Sequence, residues 1–506
     1  MHRFSSVLLC VVVVCAIQGC SGPGGTGPSD PDGSAPLDYI YVDGACVGPE
    51  DGTQAHPYDT IIEAVAAAGD GTLVVIAAGD YALGGDLLLT KAVSFRGAGV
   101  DSTSLDGFIR VNAFSDSFSC RFSSMAFGGA TFADACANGP VPIVIDSCHV
   151  SGAAITEPPD HSYSLLNSVL DGGAAFADAG GTAINVIRNC IVGGPIGYAQ
   201  GSGDITNVIE DSQINGSVVI TSFDGTALTI RRNTISGQFD DRSGSWYTII
   251  TDNVIGGGID DRSGGIGDGT EDCIVERNVI TGGVNASCAS MSFRENVVTY
   301  GTFGFMGTCG DPTHITGNTF TRQAAYADSA GFGLVLAIGS GAVSDNDIEG
   351  ATYGIYGWCS GTTFEGNTVA GADTGVVLKG AAAFTGNTIN GSASHGLVVL
   401  GPLGPISDCT ITGNGGAGVL LKSPADLGGG AGGSIGGNLL TGNGEYDVRV
   451  ACPAESAAVI YARWNTWDHG DSASIREFDI YDGMDDPSLG VVDFGSIGGR
   501  NRGQPN

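Results

Sequence analysis

Short apolar runs broken by glycine recur along this chain, with a period too short for helices and too regular for loops. Between Gly333 and Lys422 the runs Gly-Leu-Val-Leu, Gly-Ile-Tyr-Gly, Gly-Val-Val-Leu, Gly-Leu-Val-Val-Leu and Gly-Val-Leu-Leu begin at Gly333, Gly354, Gly375, Gly396 and Gly418, about every 21 residues. A repeat of this length with two or three short strands in each unit predicts a solenoid built from parallel β-strands. A second pattern, a residue of the Asn/Ser/Cys type with an apolar residue two places on, accompanies it at Cys148, Ser168, Asn189, Ser212, Asn233, Asn253, Asn278, Asn296, Asn318, Asn346, Asn367, Asn387, Cys409 and Asn438. Strand side chains alternate between faces, so the Asn and the apolar residue two places on share one. Ile191, Ile235, Ile255, Ile280, Phe320, Ile348 and Ile389 make that face the interior. Inward amides need partners, and stacked amides in successive coils supply them. The pattern predicts a structural Asn ladder at a turn.

The ends of the chain predict different elements. Residues 1–20 read as a targeting segment: His2 and Arg3, then an apolar run from Val7 to Ile17, then Gly19 before Cys20. Residues 21–37 are rich in Gly, Pro, Ser and Asp, as a flexible tether requires. Thr60 and Glu63 have capping-box spacing, and Ile61, Ile62, Val65 and Ala68 form one predicted helical face over the first coil. The expected organisation is a signal segment 1–20, a tether 21–37, a single β-helix body 38–455 with an N-terminal helical cap, and a C-terminal cap and tail 456–506. No run after the first reaches the length of a membrane-spanning helix.

Composition narrows the function. The formal charge of −34 over 506 residues excludes nucleic acid as a partner, since that binding needs a cationic face. His and Met are few and scattered, with no pair at metal-ligand spacing. Cys288 and Cys309 stand about one coil apart but at different offsets from their ladder residues, so the spacing assigns no bridge.

Two sets of residues carry a family resemblance. Ile17-Gln18-Gly19-Cys20 resembles a bacterial lipoprotein cleavage box, which implies lipidation of Cys20, a membrane contact through the lipid alone, and an outer-membrane or cell-surface location. Asp51-Gly52-Thr53, Pro57-Tyr58 with Thr60-Ile61 and Ala64-Val65, Phe95-Arg96-Gly97-Ala98-Gly99 and Leu105-Asp106-Gly107 resemble the opening of bacterial right-handed parallel β-helix proteins of pectin-lyase-like fold, and the later coils resemble their carbohydrate-associated repeats. The resemblance implies an all-β, single right-handed parallel β-helix. The Arg463 to Trp467 stretch is similar to the Trp-containing closing segment of that family, which implies a Trp-containing C-terminal cap. The expected role is a monomeric, exported, non-catalytic scaffold that binds glycan or another extracellular partner.

The sharpest local feature is Asp240-Asp241-Arg242-Ser243-Gly244, repeated as Asp260-Asp261-Arg262-Ser263-Gly264. The offset equals the step from Asn233 to Asn253, so the copies are predicted on adjacent coils about 4.8 Å apart. Four carboxylates that close suit Ca²⁺, the one cofactor the sequence suggests, and Asp240, Asp241, Asp260 and Asp261 are its expected ligands. Resemblance to Ca²⁺-dependent lyases adds the alternative that Arg242 or Arg262 is the base of a β-elimination on a uronate polysaccharide. The hydrolase template of the same family fails. Asn233-Thr234 and Asn387-Thr388 continue with Ile instead of Asp, and His395 lies about six coils from Asp261.

Overall fold

The computed structural model describes residues 38–111, 119–128, 132–134, 142–151, 162–178, 182–242, 247–261, 272–326, 329–456 and 459–495. The targeting segment, the tether and the lipidation site Cys20 lie outside them. The periodicity predicts one body over 38–455, whereas the chain divides into two compact units, Met1–Ala153 with His161–Ser164, and Leu165–Asn506 with 154–160. Residues 152–160, which include Pro158-Pro159, are outside the described residues. Both units are parallel β-solenoid, and the fold is all-β.

In the first unit Tyr39–Val42 pairs with Leu73–Ile76, which pairs with Ser94–Arg96 and so on to Cys120–Ser123 and Ile143–Asp146, always parallel. Phe95 and Phe122 stack inside at 5.0 Å between ring centres. The helix Ile61–Ala67 packs on the first strand, and the Thr60 hydroxyl accepts from the Glu63 N–H and donates to the Glu63 carboxylate. Its buried side is Ile61, Ala64 and Ala68, while Ile62 is 54% exposed. The helical period explains the correction: positions 61, 64, 65 and 68 share a face, and Ile62 is turned about 100° away.

In the second unit each coil turns a corner through a single left-handed residue followed by the ladder residue. Asp211, Arg232, Asp252, Arg277, Glu295, Asp345 and Asp408 hold φ between 53° and 59°, and Gly317, Gly366 and Gly386 take the same place in other coils. A non-glycine residue there costs about 1–2 kcal/mol, so the corner needs compensation. The ladder supplies it. Asn253 Oδ1 accepts from the Asn233 N–H at 2.9 Å and its Nδ2 at 3.1 Å, while Asn253 Nδ2 donates to Ile230 O and to Asn278 Oδ1. The same bonds link Asn278, Asn296, Asn318, Asn346, Asn367 and Asn387 without a break. Cys409 Sγ then donates to Phe384 O, its N–H to Asn438 Oδ1, and Asn438 passes the ladder to Asn465.

Two points differ from the sequence pattern. Asn189 is the left-handed residue of its coil (φ 53°) and stands at the surface, and Cys190 holds the ladder position. Ile191 is therefore 46% exposed and Val192 fully buried. A one-residue shift moves every side chain to the other face. Asn465, inside the expected cap, continues the ladder, so the closing segment begins as one more coil. The periodic glycines also have a packing cause. A Cβ on Gly354 would sit 2.3 Å from a Val369 methyl, and one on Gly375 2.4 Å from an Ile389 methyl, so the inward residue of the next strand excludes any side chain there.

These contacts set a contrast between two asparagines. Asn296→Ala deletes the acceptor of the Asn278 N–H and Nδ2 and the donor to Val275 O, and is expected to cost about 1–3 kcal/mol in chemical denaturation. Asn189→Gly keeps the left-handed corner and is expected to stay within about 0.5 kcal/mol of the parent.

Candidate functional site

The repeated acidic motif does lie on adjacent strands: Phe239–Asp241 pairs with Ile259–Asp261, Asp240 beside Asp260 and Asp241 beside Asp261. Alternation splits the four carboxylates. Val218, Phe239, Ile259 and Val284 form one inward column, and Ile220, Asp241 and Ala286 take inward positions in the next. Val219, Asp240, Asp260 and Asn285 form the outward column between them. Asp241 is 0% exposed and Asp240, covered by Arg242, is 1% exposed; the side chain of Asp261 and all of Arg262 lie outside the described residues. Outside, Arg242 grips Asp240 with Nε at 3.0 Å and an Nη at 2.5 Å, and Asn285 Nδ2 donates to Asp260 at 2.9 Å. Two outward carboxylates already engaged by Arg242 and Asn285 fall well short of the six to eight oxygens of a Ca²⁺ shell. Alternation turns Asp241 away from Asp240, so the described carboxylates of the repeat do not converge on one point.

A different acidic group forms at the C-terminal end, where the sequence reading had none. Asp447, Asp468 and Asp479 bring carboxylate oxygens within 4.8 Å of one another, with Asp447 and Asp479 buried. Asp447 opens the strand Val448–Val450, Asp468 follows Trp467, and Asp479 ends the wide helical turn Ile475–Asp479. Asn443 Nδ2 and the Asp468 N–H donate to Asp447, Asp468 accepts from the Gly442 N–H, and His469 Nδ1 lies 2.6 Å from Asp479. Burial, then the Asp468 and Asp479 charges, push Asp447 up to about 7, and the Asp479 hydrogen bond pushes His469 up. The group clasps the closing segment to the coil of Asn438 and Asn443. Its three carboxylates are the donor set that would suit a divalent cation among the described residues of this region.

The third feature is the outer face of the periodic window. Val335, Tyr356, Val377, Val398 and Leu420 form one outward column, and Ala337, Trp358 and Lys379 begin the next. Val377, Val398 and Leu420 are packed against Tyr353, Tyr356 and Leu400. Phe332 stacks on Tyr353 at 5.2 Å, Tyr353 meets Tyr356 edge-on at 5.8 Å, and Tyr356 lies 6.0 Å from Trp358. Trp358 is 58% exposed, and it lines a shallow pocket of about 370 Å³ with Ala337, Ile338, Cys359, Ser360 and Lys379. The sequence carried a signal for this face. Gly-Val-Val-Leu and its relatives are apolar at every position instead of alternating, which marks strands packed on both sides. At the other end Trp467 is buried edge-on to Phe494 at 6.2 Å, as a cap residue.

Residues 305–473, which include this face, match the family model described as a protein of unknown function (DUF1565). No curated protein matches the sequence. Among solved structures, the chain is similar to the catalytic domain of a GH87 α-1,3-glucanase in complex with tetrasaccharides, at 11% identity and a TM-score of 0.26, covering 71% of this chain and 66% of that domain. It is also similar to the A-module of the Azotobacter vinelandii mannuronan C-5 epimerase AlgE4, at 12% identity and a TM-score of 0.20, covering 87% of this chain and 97% of that one. Both are right-handed β-helix enzymes.

The clasp generates a pH prediction. Unfolded, Asp447 loses its proton near 3.8; folded, it holds it to about 7, so the fold binds more protons between those values and loses stability as pH rises through them. His469, raised by Asp479, loses its contribution in the same direction as pH passes its folded value. The unfolding midpoint is expected to fall from pH 4.5 to pH 7.5, roughly the window of those shifts, and Asp447→Asn is expected to flatten that slope. An unchanged slope in Asp447→Asn would contradict the assignment.

Proposed function

We propose that this chain is an exported, lipid-anchored β-helix scaffold that binds an extracellular glycan on the outer face of 332–422 and leaves it chemically unchanged. The observation that carries the reading is Trp358, an exposed indole beside Tyr356 on the same outward face, with Tyr356 in turn edge-on to Phe332 and Tyr353. An aromatic ring held this way offers its face to the C–H surface of a pyranose, while Lys379 and Ser360 beside it supply polar contacts to hydroxyls. Tyr356 borders the ring on one side, which reduces the ordering cost of capture. The tether 21–37 suits a role at the cell surface, since it separates the body from a lipid on Cys20.

The competing reading is a Ca²⁺-dependent polysaccharide lyase centred on the acidic repeat. Its base would be Arg242 or Arg262; Arg262 lies outside the described residues, and the Asp240 hydrogen bond raises Arg242 above its ordinary value, when a base needs the reverse. The binding reading accounts better for the described geometry.

Two measurements test the proposal. On a glycan array the full chain is expected to bind at least one glycan, and Trp358→Ala to weaken that binding about tenfold, near 1.4 kcal/mol, with no unsaturated or newly reducing product released. Product that disappears with a chelator would favour the lyase instead. In the native host, Cys20→Ser is expected to move the protein from the membrane to the soluble fraction; retention of the variant in the membrane would overturn the lipid anchor.

A further inference from the structure

Stacked coils bring equivalent inward positions to neighbouring-strand distance, so a cysteine repeated in one column over two coils meets its copy. Among the described residues this happens once. Val284–Ala286 pairs with Phe303–Gly307 in the register Val284 to Phe305 and Ala286 to Gly307. The ladder continues beyond the named strands through Thr308 N–H to Ala286 O and Gly310 N–H to Cys288 O at 2.9 Å, which sets Cys288 beside Cys309. Their Sγ atoms stand 3.2 Å apart, both side chains buried, with the Met291 sulfur 3.9 Å from Cys309. Their unequal offsets from Asn278 and Asn296 arise elsewhere. The step from Val279 to Val284 is shorter than the step between their register partners Val297 and Phe305, so the extra residues are taken up around Gly301 before the strands realign. Cys148 and Cys190 are separated by the Ser168 coil, Cys273 faces Met291, Cys359 faces Ile338, and Cys409 lies between Asn387 and Asn438.

We propose that Cys288 and Cys309 close a disulfide that staples these two coils when the chain folds in the presence of a disulfide donor. One thiolate attacks a donor disulfide and expels a donor thiolate; the second thiolate then attacks the mixed disulfide and expels the other. The two cysteines are oxidised, the donor disulfide is reduced to two thiols, and the two cysteine protons pass to those thiolates. Because both sulfurs are buried in the finished coil, the exchange takes place before the coil closes over them, and the bond then resists reductant added to the folded protein. Oxidation in the cell rests on the export reading, whereas closure in a defined redox buffer does not.

The test is a peptide map of the full chain, refolded from denaturant in a reduced/oxidised glutathione buffer and trypsinised without reductant. Asn278–Arg294 is expected to appear linked to Glu295–Arg322 through Cys288 and Cys309, and the link is expected to be lost in Cys288→Ser. The same link in protein taken from the native host would place folding in an oxidising compartment. Its absence from the host sample alone would overturn the export reading and leave the pair intact. Both peptides unlinked after glutathione refolding, with Cys288 and Cys309 alkylated as thiols, would overturn the staple itself; this readout requires no variant to fold.

Discussion

The rest of the second unit depends on one interaction, the side-chain amide that turns inward at each corner and hydrogen-bonds the next. Each corner places a residue such as Asp252 or Arg277 in a left-handed conformation and points a polar group into an apolar interior. Neither is favourable alone. Stacked, Asn233 through Asn387 satisfy one another's amides and the backbone groups the corner exposes, so the cost of one coil is met by its neighbours. Stability is then shared between nearest neighbours, and a flat outer face of aligned columns follows from the fixed register. The aromatic row of Tyr356 and Trp358 on that face follows from the alignment.

The inward half of the fold was legible in the sequence because it repeats in a fixed frame. Ile235, Ile255, Ile280, Ile348 and Ile389 all lie inside, as the two-residue spacing from Asn requires. The frame failed where two polar residues adjoin. At Asn189-Cys190 either residue fits the pattern, and only the backbone shows that the left-handed corner takes the Asn and the interior takes the thiol. The helix N-cap was legible from Thr60 and Glu63, whose chemistry is local.

The site was less legible, for two physical reasons. Identical neighbours in sequence suggested one acidic cluster, but strand alternation turns Asp240 and Asp241 to opposite sides of the strand, Asp240 lying buried under Arg242; the feature that drew attention is divided by the geometry that repeats it. The acidic clasp of Asp447, Asp468 and Asp479 joins residues from three separate pieces of backbone, and no spacing rule connects them. Trp358 falls between: its position in an uninterrupted apolar run was visible, but the aromatic group beside it, Tyr356 edge-on to Phe332 from the coil before, depends on the register of the coils.

The central claim is that the outer aromatic face is where a ligand sits. Hydroxyl-radical footprinting of the full chain, with and without a glycan that binds it, measures this residue by residue. The account predicts that oxidation of Trp358 and Tyr356 falls on saturation while Trp464, exposed at the far end of the chain, reacts unchanged. Saturated binding with undiminished oxidation of Trp358 would contradict it.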